Sequence, residues 1–540
     1  MREHEHDSPD SEASLSGGRF VLIVAAAALA AGGVGAAGAR DSHEPALAKS
    51  CRAGSVRGVI GGKRVCLKAG QRCLRRLDAQ YHRFGFHCHS GRLTRRSGPT
   101  RPKGAPPRLK VLKRSSLDGP GYVLIAPKNG STAEGPEIVD DRGRAVWFHP
   151  NSNGDQATDF RVQRFRGQPV LTWWEGRGLA GSGAGVDYVA DDSYRVIAAV
   201  HAGNGLEADG HEFLLTPQGT ALITIYHEVP YDLSPVGGPT DGVAVDGIVQ
   251  EIDVASGRVL FEWHSLDHVG IGESYLPVDS PYDYFHINAV NLDNDGNLLI
   301  SGRHTWTVYK VDRHSGQVLW RLGGRRSDFS LGPGVPFAWQ HNPLPAGENT
   351  IRLFDNETDG SNTVSPHSRV IWIHVDPVNA TATLVKAITH PVGLSVQSQG
   401  NAQALENGDT FVGWGQLGRV SEFDPQGNLL FDAYLPGGVD TYRAYRATWI
   451  GQPETRPTAT ARTNADGSTT VHAIWNGATE VAAWRILAGS KSTSLVPTGT
   501  ARWNGLDTSV KIRGLPLEVE VVALNAQGSI IEMSKPVRVG

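Results

Sequence analysis

Short runs of alternating apolar and polar residues dominate the chain from about Leu117 to Trp449, and glycine-containing turns separate most of them. Alternation with a period of two is typical of a half-buried β-strand, and an Asn-Gly or Ser-Gly turn joins two such strands into a hairpin. Helical periodicity is scarcely visible. The pattern therefore predicts an all-β domain made of antiparallel hairpins.

A turn followed by an apolar strand recurs six times in this region, at intervals of 48 to 64 residues. That length is sufficient for four strands and their connections, which is one blade of a β-propeller. The copies begin at Asp140, Asp191, Asp253, Asp312, Asp376 and Asp424. A second turn-and-strand motif alternates with the first. We therefore predict a six-bladed β-propeller over residues 115–451, closed into a ring, with an irregular pair of β-sandwiches as the alternative.

The remaining residues, 452–540, start with a linker rich in proline and threonine. Short alternating strands follow, and no catalytic-looking residue stands out among them. This pattern predicts a small C-terminal β-sandwich of the fibronectin or immunoglobulin-like type.

Composition excludes several classes of protein. The chain has 540 residues, of which 39% are hydrophobic and 20% charged, so it is neither disordered, collagen-like nor a polytopic membrane protein. The 52 basic residues nearly balance the 55 acidic ones, and no nucleic-acid partner is expected for the molecule as a whole.

Charge and cysteine are concentrated in one segment. Between Cys51 and Arg114 there are 18 lysines and arginines but one acid, Asp78. All four cysteines of the chain lie there: Cys51, Cys66, Cys73 and Cys88. We predict that residues 40–114 form a basic module with two disulfides, in an oxidising compartment, and a linker. A zinc site is the alternative, although no CxxC pair is present. The positive charge of residues 51–114 predicts that this segment binds an acidic cell-wall polymer.

An apolar, alanine-rich run from Phe20 to Val34 lies between Arg19 and the small-residue stretch 37–39. This favours a cleaved signal peptide over residues 1–39, hence a protein that is secreted or attached to the cell envelope. The first eighteen residues carry five acids where positive charge is expected, so an uncleaved N-terminal anchor is the alternative and a misassigned start a third. Membrane contact is expected only through this segment, if it is uncleaved.

Four polar side chains occupy nearly the same place in four successive repeats, just before the second hairpin turn. They are His211, His286, His341 and Asn401. Because a propeller brings its inner strands together around the central channel, we expect these side chains to converge. Asn288 lies two residues after His286 and so on the same strand face. Arg303 closes the following hairpin and is expected at the same rim.

Two kinds of site fit this set. Three imidazoles can ligate a metal ion such as zinc or copper. Alternatively, imidazoles with Arg303 and Asn288 can bind an oxyanion, Arg by its rigid fork and the others as single donors. No Asp or Glu sits in register to complete a metal shell, so we favour the anion and expect no metal.

At these residues the chain resembles the arylsulfotransferase family that is independent of the phosphoadenosine cofactor, and specifically its actinobacterial-type branch. The matching stretches are DGHEF, DYFHINAV, DGNLLISGRHT, VYKVDRHSGQVLWRLGG, FAWQH and QGNAQALENGDTFVGWG. The resemblance extends from about Gly119 to Trp449. It implies a six-bladed propeller that moves a sulfuryl group from a phenolic sulfate to a phenolic acceptor through a sulfated histidine, with no cofactor.

Carried over by motif, the resemblance makes His341, the histidine of FAWQH, the nucleophile. The residues implied to surround the sulfuryl group are His211, His286, Asn288 and Arg303. A second imidazole would exchange the proton of the phenol in a ping-pong reaction, and we prefer His211 to His286 for this role only narrowly.

Three further residues are assigned to substrate binding. Tyr442 and Tyr445 lie where similar proteins end the last blade, and we expect them to stack on an aryl ring; ordinary edge-strand aromatics are the alternative. Asn401 joins them as the fourth residue of the repeat position.

Two other functions compete. A non-catalytic envelope propeller would bind anionic polymers or small anions with the same residues. A quinoprotein is suggested by Asp312 to Trp320, but the vicinal cysteine pair and calcium carboxylate cluster that it needs are not seen in the sequence.

Overall fold

The computed structural model describes residues 105–540 apart from 131, 132, 153 and 180, together with residues 56–60, 63–74, 77, 81, 86–89 and 91–95. Half of the residues are in strands and 4% in helices, so the protein is all-β as predicted. Within these ranges no helix is long and apolar enough to cross a membrane. The predicted export segment, residues 1–39, lies outside them.

Residues 1–96 and 97–540 are two compact units. The described part of the first contains two hairpins, formed by β1 (Val56–Ile60), β2 (Lys63–Leu67), β3 (Phe86–His89) and β4 (Arg92–Arg95). A disulfide joins Cys73 to Cys88, whose Cα atoms are 5.8 Å apart. Cys66 is also disulfide-bonded, and Cys51 lies outside the described residues.

The second unit contains six consecutive sheets of four or five strands. The strands up to the third sheet are β5 (Lys110–Lys113), β6 (Tyr122–Lys128), β7 (Glu137–Val139), β8 (Ala145–Phe148), β9 (Gln156–Phe165), β10 (Gln168–Leu179), β11 (Ser182–Ala190), β12 (Val196–Val200), β13 (Phe213–Leu215), β14 (Thr220–Tyr231), β15 (Gly242–Asp253) and β16 (Val259–His264). The later ones are β17 (Ile287–Leu292), β18 (Leu298–Gly302), β19 (Thr307–Val311), β20 (Val318–Gly323), β21 (Ser330–Leu331), β22 (His341–Pro345), β23 (Thr350–Asp355), β24 (Arg369–Asp376), β25 (Thr381–Thr389), β26 (Asn401–Ala404), β27 (Thr410–Gly413), β28 (Arg419–Phe423), β29 (Leu429–Tyr434) and β30 (Asp440–Ala447). The helical segments of the unit are α1 (Ser265–His268) and the 3-10 turns Ser234–Val236, Ile271–Glu273, Gly415–Leu417 and Ser492–Ser494.

The sheets form a closed ring. The second, third and fourth sheets run in chain order from β9, β13 and β17, and the fifth runs from β22 with β21 added in parallel beside β25. The sixth has the order β26-β27-β28-β29-β5, whereas the first is β30-β6-β7-β8. Each sheet contacts the next, and β26 and β27 contact β30. Both ends of the repeat region are therefore built into neighbouring sheets.

Six clusters of buried apolar residues fill the six gaps between neighbouring sheets. The gap between the third and fourth sheets, for example, holds Trp263, Phe285 and Val290. Strands β17 and β18 are buried along nearly their whole length instead of alternating. The reason is that a neighbouring sheet covers each of their faces.

The segments that enter three of the inner strands have irregular backbones. His286, Trp339 and Gln399 have φ angles of 50°, 52° and 69°, in the left-handed region that non-glycine residues rarely adopt. The ladders of β17, β22 and β30 also shift register near their first residues. A bulge redirects side chains at a strand end, so the polar residues there are turned away from the regular pleat.

The chain ends in two further sheets, which share a core that includes Val471, Trp484 and Val521. Their strands are β31 (Thr458–Thr463), β32 (Ser468–Ile474), β33 (Ala483–Gly489), β34 (Val496–Arg502), β35 (Asp507–Arg513), β36 (Glu518–Leu524), β37 (Ile530–Met533) and β38 (Val537–Arg538). They pack on the first sheet of the ring, where the side chain of Asn476 both donates to and accepts from the backbone of Phe148, at 2.9 Å each.

Replacement of Asn401 by alanine should weaken the ring closure. The Asn401 amide donates to the Ala444 carbonyl at 2.9 Å and accepts from the Ala444 N–H at 3.0 Å, which ties the sixth sheet to β30. Two buried backbone groups would lose their partners, so we expect a loss of about 2–4 kcal/mol in the free energy of unfolding, measured by urea denaturation. Asn294→Ala, at an exposed amide, is the control and should change it by less than about 0.5 kcal/mol. Equal midpoints for the two variants would contradict this role.

Candidate functional site

Two of the predicted histidines contact the ring of Tyr442, and the third contacts one of these two. The ring centroids of His211 and His286 are 5.2 Å apart, and those of His211 and Tyr442 are 5.3 Å apart. His341 approaches Tyr442 from another side at 6.4 Å. Side chains from the starts of the third and fifth sheets thus share Tyr442 on β30 as a neighbour, and His286 of the fourth sheet joins them through His211.

His341 is held by both ring nitrogens. Its Nδ1 lies 2.7 Å from Asn356 Oδ1 and 3.1 Å from the Trp339 carbonyl, while its Nε2 accepts from the Gln399 backbone N–H at 3.1 Å. The residue is 1% exposed. Burial, reinforced by the charge of Arg303, lowers the pKa of His341 well below its usual range. The imidazole is therefore neutral, with its lone pair on Nε2.

His211 and His286 each pair with a carboxylate. Asp209 Oδ1 lies 2.5 Å from His211 Nδ1, and Asp283 Oδ2 lies 2.5 Å from His286 Nδ1. Burial lowers the pKa of His286 well below its usual range, with His211 and Arg303 adding to the effect. Burial also raises the pKa of Asp283. Both histidines present Nε2 to the space they share, since Nδ1 is engaged.

Arg303 brings a buried positive charge to this space. Its Nη1 donates to His304 Nε2 and its Nη2 to the Gln397 carbonyl, both at 2.9 Å, and the residue is 8% exposed. Burial lowers the pKa of His304 to about 3, so this imidazole is neutral and accepts from the guanidinium. In the part of the chain that the structure describes, Arg303 forms no ion pair and its Nε has no partner. A buried guanidinium in this state favours an anionic ligand.

Asn288 also lies beside these groups. Its side-chain amide donates to the Gln340 carbonyl at 2.7 Å, and its buried Oδ1 has no hydrogen-bond partner among the described residues. The Tyr442 hydroxyl donates to the Asn288 backbone carbonyl at 3.1 Å. Burial raises the pKa of Tyr442, which stays a neutral phenol. Asn288 and Tyr442 therefore border the same space as the histidines.

The structure places Asn401 and Tyr445 differently from the histidines. Both the nitrogen and the oxygen of the Asn401 side-chain amide form hydrogen bonds with the Ala444 backbone, and these bonds close the ring. The Tyr445 hydroxyl donates to Asp159 at 2.8 Å and the Arg161 guanidinium lies over its ring at 5.5 Å. Both residues serve the packing of the inner strands.

An ion network lies behind Tyr442. Arg443 Nη1 is 3.1 Å from Asp159 and 3.0 Å from Glu212, and its Nη2 donates to the Asn288 carbonyl at 3.1 Å. Arg161 adds a second guanidinium, 2.7 Å from Glu212. These residues fix the backbone that carries Asn288 and Tyr442.

One group of side chains has the composition of a metal site. The potential ligand atoms of Asp283, His286 and His304 lie within 4.8 Å of one another. However, His304 Nδ1 donates a hydrogen bond to the Asp283 carbonyl, and His304 Nε2 accepts one from Arg303. The Arg303 guanidinium therefore lies beside the group. A cation would have to displace these hydrogen bonds and tolerate that charge, so the arrangement suits an anion better.

Sequence reasoning did not assign roles to four residues that hold the histidines. Asp209 and Asp283 stand two and three residues before His211 and His286, a spacing that indicates a local histidine–carboxylate pair. No comparable signal identifies Asn356 or Gln399, because each reaches His341 across the fold.

The fold and the site together define a ring of β-sheets with a neutral imidazole beside a buried guanidinium. A family model described as Arylsulfotransferase (ASST) matches residues 161–435. The chain belongs to this family and is an arylsulfotransferase, which sets the non-catalytic alternative aside. The family implies a sulfate donor and an acceptor.

No curated protein matches the chain. Solved structures similar to it include a protein of unknown function from Bacteroides caccae, with 14% identity and a TM-score of 0.38, covering 61% of this chain and 100% of that one. A streptogramin B lyase has 10% identity and a TM-score of 0.33, covering 67% and 93%. A virginiamycin B lyase from Staphylococcus aureus has 8% identity and a TM-score of 0.32, covering 61% and 88%. Likeness this low carries no conclusion about the chemistry of this chain.

Arg443→Met should destabilise the protein by about 3–5 kcal/mol, because the buried carboxylates of Asp159 and Glu212 would lose one of their two guanidinium partners. Urea denaturation followed by tryptophan fluorescence measures the change. Arg164→Met, at an exposed arginine of the same ring, is the control and should stay within about 0.5 kcal/mol of the parent. A small change for Arg443→Met would mean that the network contributes little.

Proposed function

We propose that the protein transfers a sulfuryl group from a phenolic sulfate ester to a phenolic acceptor by way of a sulfohistidine at His341. The observation that carries this proposal is a neutral, buried His341 with its lone pair on Nε2, close to the Arg303 guanidinium, which forms no ion pair among the described residues. Sulfuryl transfer resembles phosphoryl transfer in passing through a loose state whose oxygens need fixed donors. The Arg303 guanidinium is such a donor, since its buried Nε has no partner among the described residues.

In the first half of the reaction, His341 Nε2 attacks sulfur with its lone pair as the bond from sulfur to the phenolic oxygen breaks. The electron pair of that bond stays on the phenolic oxygen, which takes a proton from His211. In the second half, the acceptor phenol gives its proton to His211, its oxygen bonds to sulfur, and the sulfur–nitrogen bond breaks. The product is the new aryl sulfate, and His341 is regenerated.

We assign the proton exchange to His211 rather than His286. A group that alternately holds and releases a proton needs a pKa near the working pH. Burial lowers the pKa of His286 well below that range. The Asp209 carboxylate binds His211 Nδ1 and so leaves Nε2 facing the shared space, which supports the role of His211.

We also propose that the six sheets are the blades of a six-bladed propeller and that the last two sheets form a fibronectin or immunoglobulin-like sandwich. The ring contacts and the six inter-sheet clusters support the first assignment.

We propose that residues 1–39 export the protein, which then has an extracytoplasmic location. We also propose that the basic segment 51–114 binds an acidic wall polymer. The Cys73–Cys88 disulfide supports an oxidising compartment.

His341→Ala should abolish turnover because no other group replaces the nucleophile. Purified protein is incubated with 4-nitrophenyl sulfate and a phenol, and nitrophenol release and protein mass are followed. The parent should gain the mass of one sulfuryl group in the absence of acceptor, and His341→Ala should not. His314→Ala, at an exposed histidine of the fourth sheet, is the matched control and should behave as the parent. Full turnover by His341→Ala would refute the nucleophile assignment.

The pH dependence of the first half-reaction should reflect the lowered pKa of His341. An ordinary histidine loses its nucleophilic form below a pH of about 6.5. His341 stays neutral there, so in His211→Gln, which lacks the proton donor, the rate constant of the nitrophenol burst should stay constant from about pH 7.5 to about pH 5.5. Stopped-flow absorbance measures it. An acid limb near pH 6.5 that persists in His211→Gln would contradict the neutral state of His341.

A further inference from the structure

Asn356 follows β23 and is completely buried. Its Nδ2 donates to two carbonyls, those of Val396 and Gln399, at 3.0 Å each. Only the NH2 group of an amide can donate to carbonyls, so these two bonds fix which way the amide faces. Its Oδ1 therefore points at His341 Nδ1, 2.7 Å away, and must accept the proton carried there.

The other side of the imidazole is controlled by the same residue. The Gln399 N–H donates to His341 Nε2 at 3.1 Å, while the Gln399 carbonyl accepts from Asn356. Gln399 has a left-handed backbone, and the next residue, Gly400, donates to the Tyr442 carbonyl at 3.1 Å. A Cβ at Gly400 would approach the Phe354 ring to 2.7 Å, so the ring packs directly against the backbone of this segment.

We propose that Asn356 is the positioning residue of the nucleophile. It holds the proton of His341 on Nδ1, which leaves Nε2 unprotonated with a lone pair that can bond to sulfur, and it holds the Gln399 amide that donates to that lone pair in the resting protein. This inference rests on the proposed function. The Trp339 carbonyl also faces Nδ1, but at 3.1 Å, and it does not contact Gln399 through the same group.

The same contact assists the transfer step. When the Nε2 lone pair bonds to sulfur and the bond from sulfur to the phenolic oxygen breaks, the imidazole ring becomes positively charged while keeping its Nδ1 proton. A hydrogen bond from a cationic donor is stronger than one from a neutral donor, so the bond to Asn356 Oδ1 strengthens during the step. The Gln399 N–H loses its acceptor at Nε2 in the same movement, and a sulfuryl oxygen bound there can replace it.

The test compares Asn356→Ala and Asn356→Asp with the parent in the nitrophenol burst. Loss of the amide should slow the burst rate constant about tenfold, the effect of one hydrogen bond in the transition state. The donor concentration that gives half the maximal rate should change by less than about twofold, because Asn356 does not touch the substrate. Asn356→Asp should retain more of the rate than Asn356→Ala. Its carboxylate stabilises a protonated imidazole, so its acid limb should move to higher pH.

Asn291→Ala is the matched control. Asn291 is also buried and donates from its side chain to a backbone carbonyl of the next sheet, that of Pro343, at 3.0 Å. A purely structural loss lowers the unfolding midpoint and the burst amplitude but leaves the rate constant unchanged, and Asn291→Ala should behave in this way. A parental burst rate constant in Asn356→Ala, or an unmoved acid limb in Asn356→Asp, would overturn the proposal.

A measurement without substrate separates this proposal from the function itself. In protein labelled with ¹⁵N-histidine, the His341 signals are identified by their absence in His341→Gln. The parent should show the proton on Nδ1, and Asn356→Ala should show a mixture of tautomers. A parental proton on Nε2 would overturn the positioning role even if sulfuryl transfer occurs. An Nδ1 proton without any nitrophenol burst or mass gain would instead refute the proposed function and leave a purely structural asparagine.

Discussion

The pairing of β30 with β6 is the contact on which the rest of the structure depends. It joins the last strand of the repeat region to the first sheet, while Asn401 ties β30 to the sixth sheet. Closure places Tyr442 and Arg443 beside residues that precede them by more than a hundred positions. Without it, His211 and His341 would lose Tyr442 as their common neighbour, and the carboxylates of Asp159 and Glu212 would lose the guanidinium of Arg443.

Burial then determines the chemistry of the residues that closure assembles. The same loss of water that makes His341 a neutral base leaves Arg303 as a charge with no ion pair among the described residues. An isolated buried charge is costly, and its cost is offset when an anion binds. The site therefore combines a neutral imidazole with a buried positive charge that favours a negatively charged ligand.

Much of this arrangement was accessible from the pattern of residues. The repeat interval and the alternation predicted the sheets, and the shared repeat position of His211, His286 and His341 predicted that they would meet. The same reasoning grouped Asn401 with them, whereas the fold uses its amide to bind Ala444. A repeat position specifies the strand end on which a residue lies, but the local bulges and φ angles determine whether its side chain faces the centre or the neighbouring sheet.

The amino-acid sequence by itself determined the all-β fold, the family and the three histidines, because each of these depends on local periodicity or on contiguous motifs. Tertiary structure alone decided which nitrogen of His341 is unprotonated, which carboxylates are paired, and that Arg303 has no carboxylate partner among the described residues. These properties depend on distances between segments such as Asn356, Gln399 and His341, which local sequence does not encode. They also depend on the exclusion of water, which arises only when six sheets close around the same residues.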